Sequence, residues 1–328
     1  MPRISLLRGL ALLAAASFLS APAAAQQDSL KIRNMRIVVP LPAGSAPDVI
    51  ARRLSENLAK SLGIPVIVEN KPGFSGFIGG QDVLRAPADG SALYMSVSSF
   101  VVITPQTYAK IPYDPVRDFR PLVQFGTTSL ALAASAAGRF SSLADYVGQA
   151  KKDAESVSFA SFGNGTAAHL MGEEFMRAAQ IKLRHVPYKQ SATPDVIGGH
   201  LDATITDIGS LTPFLGTPPK VRVLAVTGKK RDPLLPDVPT FHEQGYPALD
   251  EMVGWLGIFA PKSMPAALAD RLSNAIVEAT QPAPFRQSLA MLGYQFTGIQ
   301  GEPFAQTVQA DYKRWGDVIR AIGGIRLD

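Results

Sequence analysis

Apolar and polar positions along this chain repeat in two periods, and each change of period marks a new element. Met35 to Pro40 (MRIVVP) is a β-branched run closed by proline and reads as a strand. From Asp48 to Leu62, apolar residues return at Ile50, Leu54, Leu58 and Leu62. That spacing lines one face of a helix, and Gly63 stops it. Ile64 to Val68 predicts a second strand. A glycine-rich loop and a helix from about Ile78 to Arg85 follow, then a turn over Ala86 to Gly90 and a third strand over Leu93 to Val97.

Strands alternating with helices predict a parallel sheet with helices on its faces. The alternation pauses between Arg120 and Ala136, where the apolar runs Pro121–Phe125 and Ser129–Ala134 have no helix between them. It resumes with a strand over Val157–Ser161, a helix over Thr166–Ala179 and a strand over Leu183–Pro187. A short helix and strands over Ala203–Thr206 and Val221–Val226 come next, then a strand over Trp255–Ala260 and a helix from Pro265 to about Thr280. The chain therefore reads as two α/β units joined by extended segments. A last helix, Pro303 to about Ile322, carries Phe304, Val308, Tyr312, Trp315, Ile319 and Ile322 on one side. Core packing explains such a stripe more simply than a partner-binding face does.

Composition narrows the class. The chain has 328 residues, enough for two domains with their own cores. Its first 25 residues differ from the rest: Arg3 and Arg8, a short apolar run over Leu10–Leu19, then Ala23, Ala24 and Ala25. This is the pattern of a secretory signal peptide with cleavage near Ala25. The run is too short for a membrane anchor. There is no cysteine, which rules out disulfides, thiolate metal sites and a cysteine nucleophile. Net charge is +5, and loss of Arg3 and Arg8 leaves +3. That charge is small and scattered, so no nucleic-acid partner is expected.

Chemistry is expected in loops at the carboxyl ends of strands, where open α/β sheets bind ligands. The first such loop, Pro40 to Asp48 (PLPAGSAPD), enters a helix with Pro47 in its first turn. Free N–H groups near Ala43, Gly44, Ser45 and Ala46 would point at an anion there. The second loop, Asn70 to Gly80 (NKPGFSGFIGG), fits neither nucleotide-binding glycine fingerprint. Its Phe74 and Phe77 form either a wall for an apolar ligand or a loop packed on its own domain. The third loop, Ser161 to Leu170 (SFGNGTAAHL), has Thr166 placed to cap the next helix. It offers Gly163, Asn164, Gly165 and Thr166 as a second anion-ready start. Ser98 and Ser99 follow the third strand. Asp207 follows a strand of the second unit and is either a ligand acceptor or a cap. His169 reads as a local hydrogen-bonding residue. The four histidines lack zinc-pair spacing, and no nucleophile elbow is present, so neither a metal, a cofactor nor catalysis is expected.

With these segments laid out, the chain resembles the Bug-type solute-binding receptors of tripartite tricarboxylate transporters. The resemblance covers nearly all of the chain after the leader. It rests on Ile37-Val38-Val39-Pro40 with Gly44 and Asp48, Val68-Glu69-Asn70-Lys71-Pro72-Gly73, and Ala88-Asp89-Gly90. It continues with Tyr113-Asp114-Pro115-Val116, Gly163-Asn164-Gly165-Thr166 with His169-Leu170, His185-Val186-Pro187-Tyr188-Lys189, and Leu235-Pro236-Asp237-Val238-Pro239-Thr240. Ser45 and Pro47 depart from the family's first loop, where a second glycine and a hydroxyl residue are usual. Phe74, Ser75 and Phe77 depart from its second.

The resemblance implies a type II periplasmic binding protein fold. Residues 29–127 and 252–328 would form one lobe and 128–251 the other, closing on a small carboxylate held by backbone N–H groups. It further implies a monomer in the periplasm that serves a membrane permease of one large and one small integral subunit. A sensory receptor of the same fold is the main alternative, and an exported hydrolase a remote one.

Overall fold

The protein is described here by a computed structural model covering residues 32–188 and 190–327. The leader and the expected cleavage near Ala25 lie outside the described residues. The chain begins with β1 (Met35–Val39), α1 (Ala46–Leu62), β2 (Val66–Asn70), α2 (Phe77–Arg85) and β3 (Ala92–Val97). A π-helical turn over Ser99–Ile103 runs into α3 (Thr104–Thr107), and α4 (Pro115–Asp118) precedes β4 (Phe119–Thr128). Next come β5 (Leu130–Ser135), α5 (Leu143–Lys152), β6 (Ser158–Ser161), α6 (Ala167–Ala179) and β7 (Arg184–Pro187). They are followed by α7 (Thr193–Ile197), β8 (Ala203–Asp207), α8 (Ile208–Leu211) and β9 (Val221–Val226). The chain ends with β10 (Gly254–Pro261), α9 (Ala266–Ala279), α10 (Ala283–Met291), β11 (Gln295–Gln300) and α11 (Glu302–Ala321).

These strands make two sheets, ordered β11-β4-β10-β3-β1-β2 and β7-β6-β8-β5-β9. β1 pairs in parallel with β2 and β3. Its Ile37, Val38 and Val39 are buried, as an unbroken apolar run covered on both faces should be. The expected parallel pairing holds for β1, β2 and β3 and for β6, β7 and β8, and each sheet also takes in antiparallel strands, so both are mixed. β10 runs antiparallel to β3 and β4, and β5 runs antiparallel to β8 and β9. The cause is the connection. β4 passes straight into β5 through Ser129, with no crossover helix to restore direction. On the return, Gly254 at the head of β10 pairs with Thr128 at the tail of β4. The two passages between sheets therefore lie side by side.

α1 ends where its sequence signals it. α1 carries Pro47 and Asp48 in its first turn, buries Ile50, Ala51, Leu54 and Leu58, and stops at Gly63, whose N–H meets the Ala59 carbonyl. α11 buries Phe304, Val308, Trp315 and Ile319, so its aromatic stripe is core. The Phe304 ring lies 5.3 Å from Trp255 and 5.4 Å from Phe259. Gly257 makes room for it, since a Cβ there would come within 2.5 Å of the ring. The Trp255 indole N–H donates to Asp311 Oδ2 at 2.7 Å, tying α11 to β10. Removing the Phe304 ring leaves a cavity between a sheet and its covering helix. Phe304→Ala should cost about 3–5 kcal/mol. Urea unfolding measures this, and a loss below about 1 kcal/mol would mean that the interface closes over the gap.

A dipole-lined cleft between the two sheets

Two loops that follow central strands meet across one cleft of about 530 Å³. From the first sheet, Ser45, Ala46 and Pro47 bring the start of α1. From the second, Asn164, Gly165 and Thr166 bring the start of α6. At the start of α1, the N–H groups of Ala46 and Asp48 have no hydrogen-bond partner among the described residues. At the start of α6, Ala167 and Ala168 are in the same state, while Thr166 Oγ1 caps the His169 N–H at 3.3 Å. Unpaired N–H groups at a helix start carry partial positive charge and favour an anion. Ser98 and Ser99 follow β3 at the same cleft, and Asp207 ends β8 there. Four strand ends thus converge as expected for ligand sites in α/β sheets.

Other expected residues sit outside the cleft lining. Ala43 is exposed beside it. The Gly44 N–H is already taken, donating to Asp48 Oδ2 at 2.8 Å. Asp48 is buried and also accepts from Arg52 and from Asn70 Nδ2. Burial by itself would raise this carboxyl, but the bonds from Arg52, Gly44 and Asn70 outweigh it and hold it below the usual carboxylate range. Asp48 therefore shapes the loop from behind. Phe77 is 1% exposed and packs on Phe74, Tyr108 and Tyr113, at 5.2, 6.1 and 5.3 Å. Phe74 is 46% exposed but lies against Tyr108 on its own side. Phe77 is thus packed into its own sheet, while Phe74 keeps an exposed face outside the cleft lining. Glycines in that loop leave space for rings. A Cβ on Gly76 would meet Phe100 at 2.6 Å, and one on Gly80 would meet the Tyr113 hydroxyl at 1.8 Å.

Gly163 and His169 stand behind the second loop. The Gly163 carbonyl accepts from Thr166 Oγ1 at 2.8 Å, and His169 Nδ1 accepts the Gly165 N–H at 3.2 Å. The His169 proton therefore lies on Nε2, 3.3 Å from Glu173. Its ring stacks on His185 at 4.2 Å, and His185 Nε2 lies 2.7 Å from Ser161 Oγ. This Ser–His approach is not set up for nucleophilic attack. Ser161 is 2% exposed, outside the cleft lining, and its hydroxyl accepts the Gly163 N–H at 3.2 Å. The pair braces the loop. Asp207 accepts the Ser210 N–H and hydroxyl, so it caps α8 while facing the cleft.

Several lining residues carry no sequence signal of their own. Ser75, Thr128, Thr206, Trp255, Tyr294 and Leu327 reach the cleft through tertiary placement. Leu327 arrives because its N–H donates to the Thr107 carbonyl. Among the described residues no group of three or more His, Cys, Asp or Glu could hold a metal ion.

A cleft between two mixed α/β sheets, fed by helix starts from both, defines the class of periplasmic solute-binding proteins. A sequence description of the tripartite tricarboxylate transporter receptor family matches residues 50–324, and the chain belongs to that family. A Pseudomonas sp. protein from the tcbD-tcbE intergenic region is 34% identical over 315 residues, covering 95% of this chain and 93% of its own. BugT of Bordetella pertussis is 30% identical over 310 residues, covering 93% of each chain. Among solved structures, the periplasmic binding protein BugD is 30% identical with a TM-score of 0.74, covering 90% of this chain and 99% of its own. A Rhodopseudomonas palustris protein with adipate is 26% identical with a TM-score of 0.79, at 90% and 99% coverage. MatC from the same organism, with bound malate, is 26% identical with a TM-score of 0.73, at 88% and 99% coverage.

The brace makes stability depend on pH. Burial first, and then the neighbouring His169, push His185 down to about 4 from its ordinary 6.5. The unfolded chain takes up this proton near the ordinary value and the folded chain only near the lower one. Stability from neutral His185 is thus full above 6.5 and is lost as pH falls to about 4. His185→Gln should flatten that part of a plot of urea midpoint against pH. An unchanged slope between the two values would remove His185 as its source.

Proposed function

We propose that this receptor captures a small carboxylate by closing two lobes on it and delivers it to a membrane permease of one large and one small integral subunit. Of the described residues, 32–127 with 252–327 make up one lobe and 128–251 the other in this reading, hinged at the paired passages near Thr128 and Gly254. The observation that carries the reading is the pair of facing helix starts, α1 and α6, with unpaired N–H groups on one cleft. Neither start alone completes an anion site, so the ligand gains its full set of bonds only when both are in place. Closure then results from the ligand's higher affinity for the closed state. The adipate and malate bound to the two Rhodopseudomonas palustris proteins support a carboxylate here. The protein acts as a monomer in the periplasm, after cleavage of its leader near Ala25, and performs no catalysis.

A thermal-shift screen of mono-, di- and tricarboxylates against their matched amides tests this. An acid at ~100 times its Kd adds about 2.7 kcal/mol of stability, and its amide should add none. Equal shifts from acid and amide, or none from any acid, would end the carboxylate reading. Gly165→Val gives an independent check. Gly165 has φ +74, and a Cβ there would lie 3.1 Å from Leu327 and 3.4 Å from Thr107. The wedge should weaken binding at least about tenfold, about 1.4 kcal/mol. Calorimetric titration reads this, and an unaltered Kd would mean that the two loops do not close at Gly165.

A further inference from the structure

Three hydroxyls of cleft-lining residues are buried without a partner among the described residues: Ser45 Oγ, Thr128 Oγ1 and Thr206 Oγ1. Thr128 is 9% exposed and Thr206 2%. Buried polar groups are rarely left unpaired, because they lose water and gain nothing in return. Ser45 belongs to the α1 start, where the carboxylate is placed. The two threonines lie elsewhere. Thr206 precedes Asp207, Asp207 pairs with Leu130 across the β5–β8 ladder, and Thr128 stands two residues before Leu130. Thr128, Thr206 and Asp207 thus gather where the chain passes between sheets, with the end of β8 beside the end of β6, from which the α6 loop leaves.

Asp207 is the one charged side chain among the described residues lining the cleft. Its two oxygens accept from Ser210, at 2.9 Å from the N–H and 2.8 Å from the hydroxyl, and keep lone pairs for a further donor. A carboxylate can accept but not donate. A second ligand carboxylate at this end would set two anions together with no described cation in the lining to offset them. Much of the remaining lining is apolar, with Leu41, Val97, Phe100, Leu130, Phe162 and Trp255.

Resting on the carboxylate reading above, we propose that the ligand is a monocarboxylate with an apolar body and a hydrogen-bond donor, hydroxyl or ammonium, at its far end. Asp207 receives that donor, and Thr128 and Thr206 complete its polar shell. Dicarboxylates are disfavoured at the same end. This separates the receptor from its relatives with adipate and malate.

Calorimetric titration at neutral pH with two length-matched series tests the assignment. One series is caproate, its ω-hydroxy and ω-amino derivatives, and adipate. The other is benzoate, its para-hydroxy and para-aminomethyl derivatives, and terephthalate. In at least one series a donor-ended acid should bind at least about tenfold tighter than the dicarboxylate. Asp207→Asn should bring the two within about threefold, since asparagine still caps α8 but carries no charge. A dicarboxylate binding as tightly as the donor-ended acid would overturn the proposal and leave the carboxylate reading standing. So would a gap unchanged in Asp207→Asn. Binding of the matched amides as tight as that of the acids would overturn the carboxylate reading itself, and failure of every acid would overturn both.

Discussion

The pairing of Thr128 with Gly254 is the constraint on which the cleft depends. Only Ser129 separates β4 from β5, so the chain enters the second sheet without turning aside. It returns at Gly254, beside the residue from which it left. A Cβ on Gly254 would come within 3.1 Å of Thr128 Cγ2, so a larger residue would push the passages apart. Because both passages are adjacent, the carboxyl ends of β1, β3, β6 and β8 open onto the same space. The antiparallel β10 and β5 are what this arrangement demands of the sheets. The mixed topology is thus not an irregularity in a parallel fold but the means by which two α/β units face each other.

Attraction in that space comes from backbone dipoles. No Lys, Arg or His among the described residues lines the cleft. A helix start contributes roughly half a positive charge, and an apolar surrounding strengthens its effect on an anion. Dipoles of this kind need rigid support, since a loop free to turn would satisfy its own N–H groups. Support comes from behind. Asp48 holds Gly44, Arg52 and Asn70 around the first loop. Ser161, His185 and His169 hold Gly163 and Gly165 in the second. Each brace stands outside the cleft lining, which leaves the exposed N–H groups for the ligand.

Much of this is legible in the amino-acid order, and the remainder is hidden for physical reasons. β1, α1, β3 and α6 are central elements whose apolar periods are strong because they are covered on one or both faces. β11 (QFTGIQ) has little alternation and an irregular register at its single partner β4, so it gives no strand signal. α5 carries Leu143, Tyr146, Val147 and Ala150 at helical spacing and is legible though not among the expected elements, whereas α10 buries only Phe285 and Leu289, too few to set a period. The starts of α1 and α6 are readable as anion sites because helix entry has a local grammar of Pro, Thr and Gly. Thr128, Thr206 and Leu327 are not, since their place in the cleft depends on ladder register and on the return of the chain end. Phe74 and Phe77 are ambiguous for a related reason. A ring beside glycines can face a ligand or a neighbouring ring, and only the Tyr108 and Tyr113 side chains, from a distant segment, decide which.

The departures from the family's first loop can be read at the level of donors. Proline has no N–H, so Pro47 removes one backbone donor from the start of α1. A hydroxyl residue, usual at that position, would have offered a side-chain donor as well. Ser45 acts in the opposite direction. It stands at the cap position of α1 yet makes no capping bond, and its hydroxyl is buried and unpartnered at the cleft. A glycine there would offer no side-chain donor. The loop therefore exchanges donors next to Asp48 for one at Ser45, two positions earlier, while Ala46 and Asp48 keep their free N–H groups between and beside them. The donors left free at the start of α1 are thus the Ala46 and Asp48 N–H groups and the Ser45 hydroxyl. Pro47 also has a fixed φ, so the remaining donors are held more stiffly than in a loop free to rotate there. A clamp with fewer but more rigid donors selects ligands by the shape of the body beyond the carboxylate. In the proposed carboxylate clamp, that places more of the choice of ligand on the apolar lining and on Asp207.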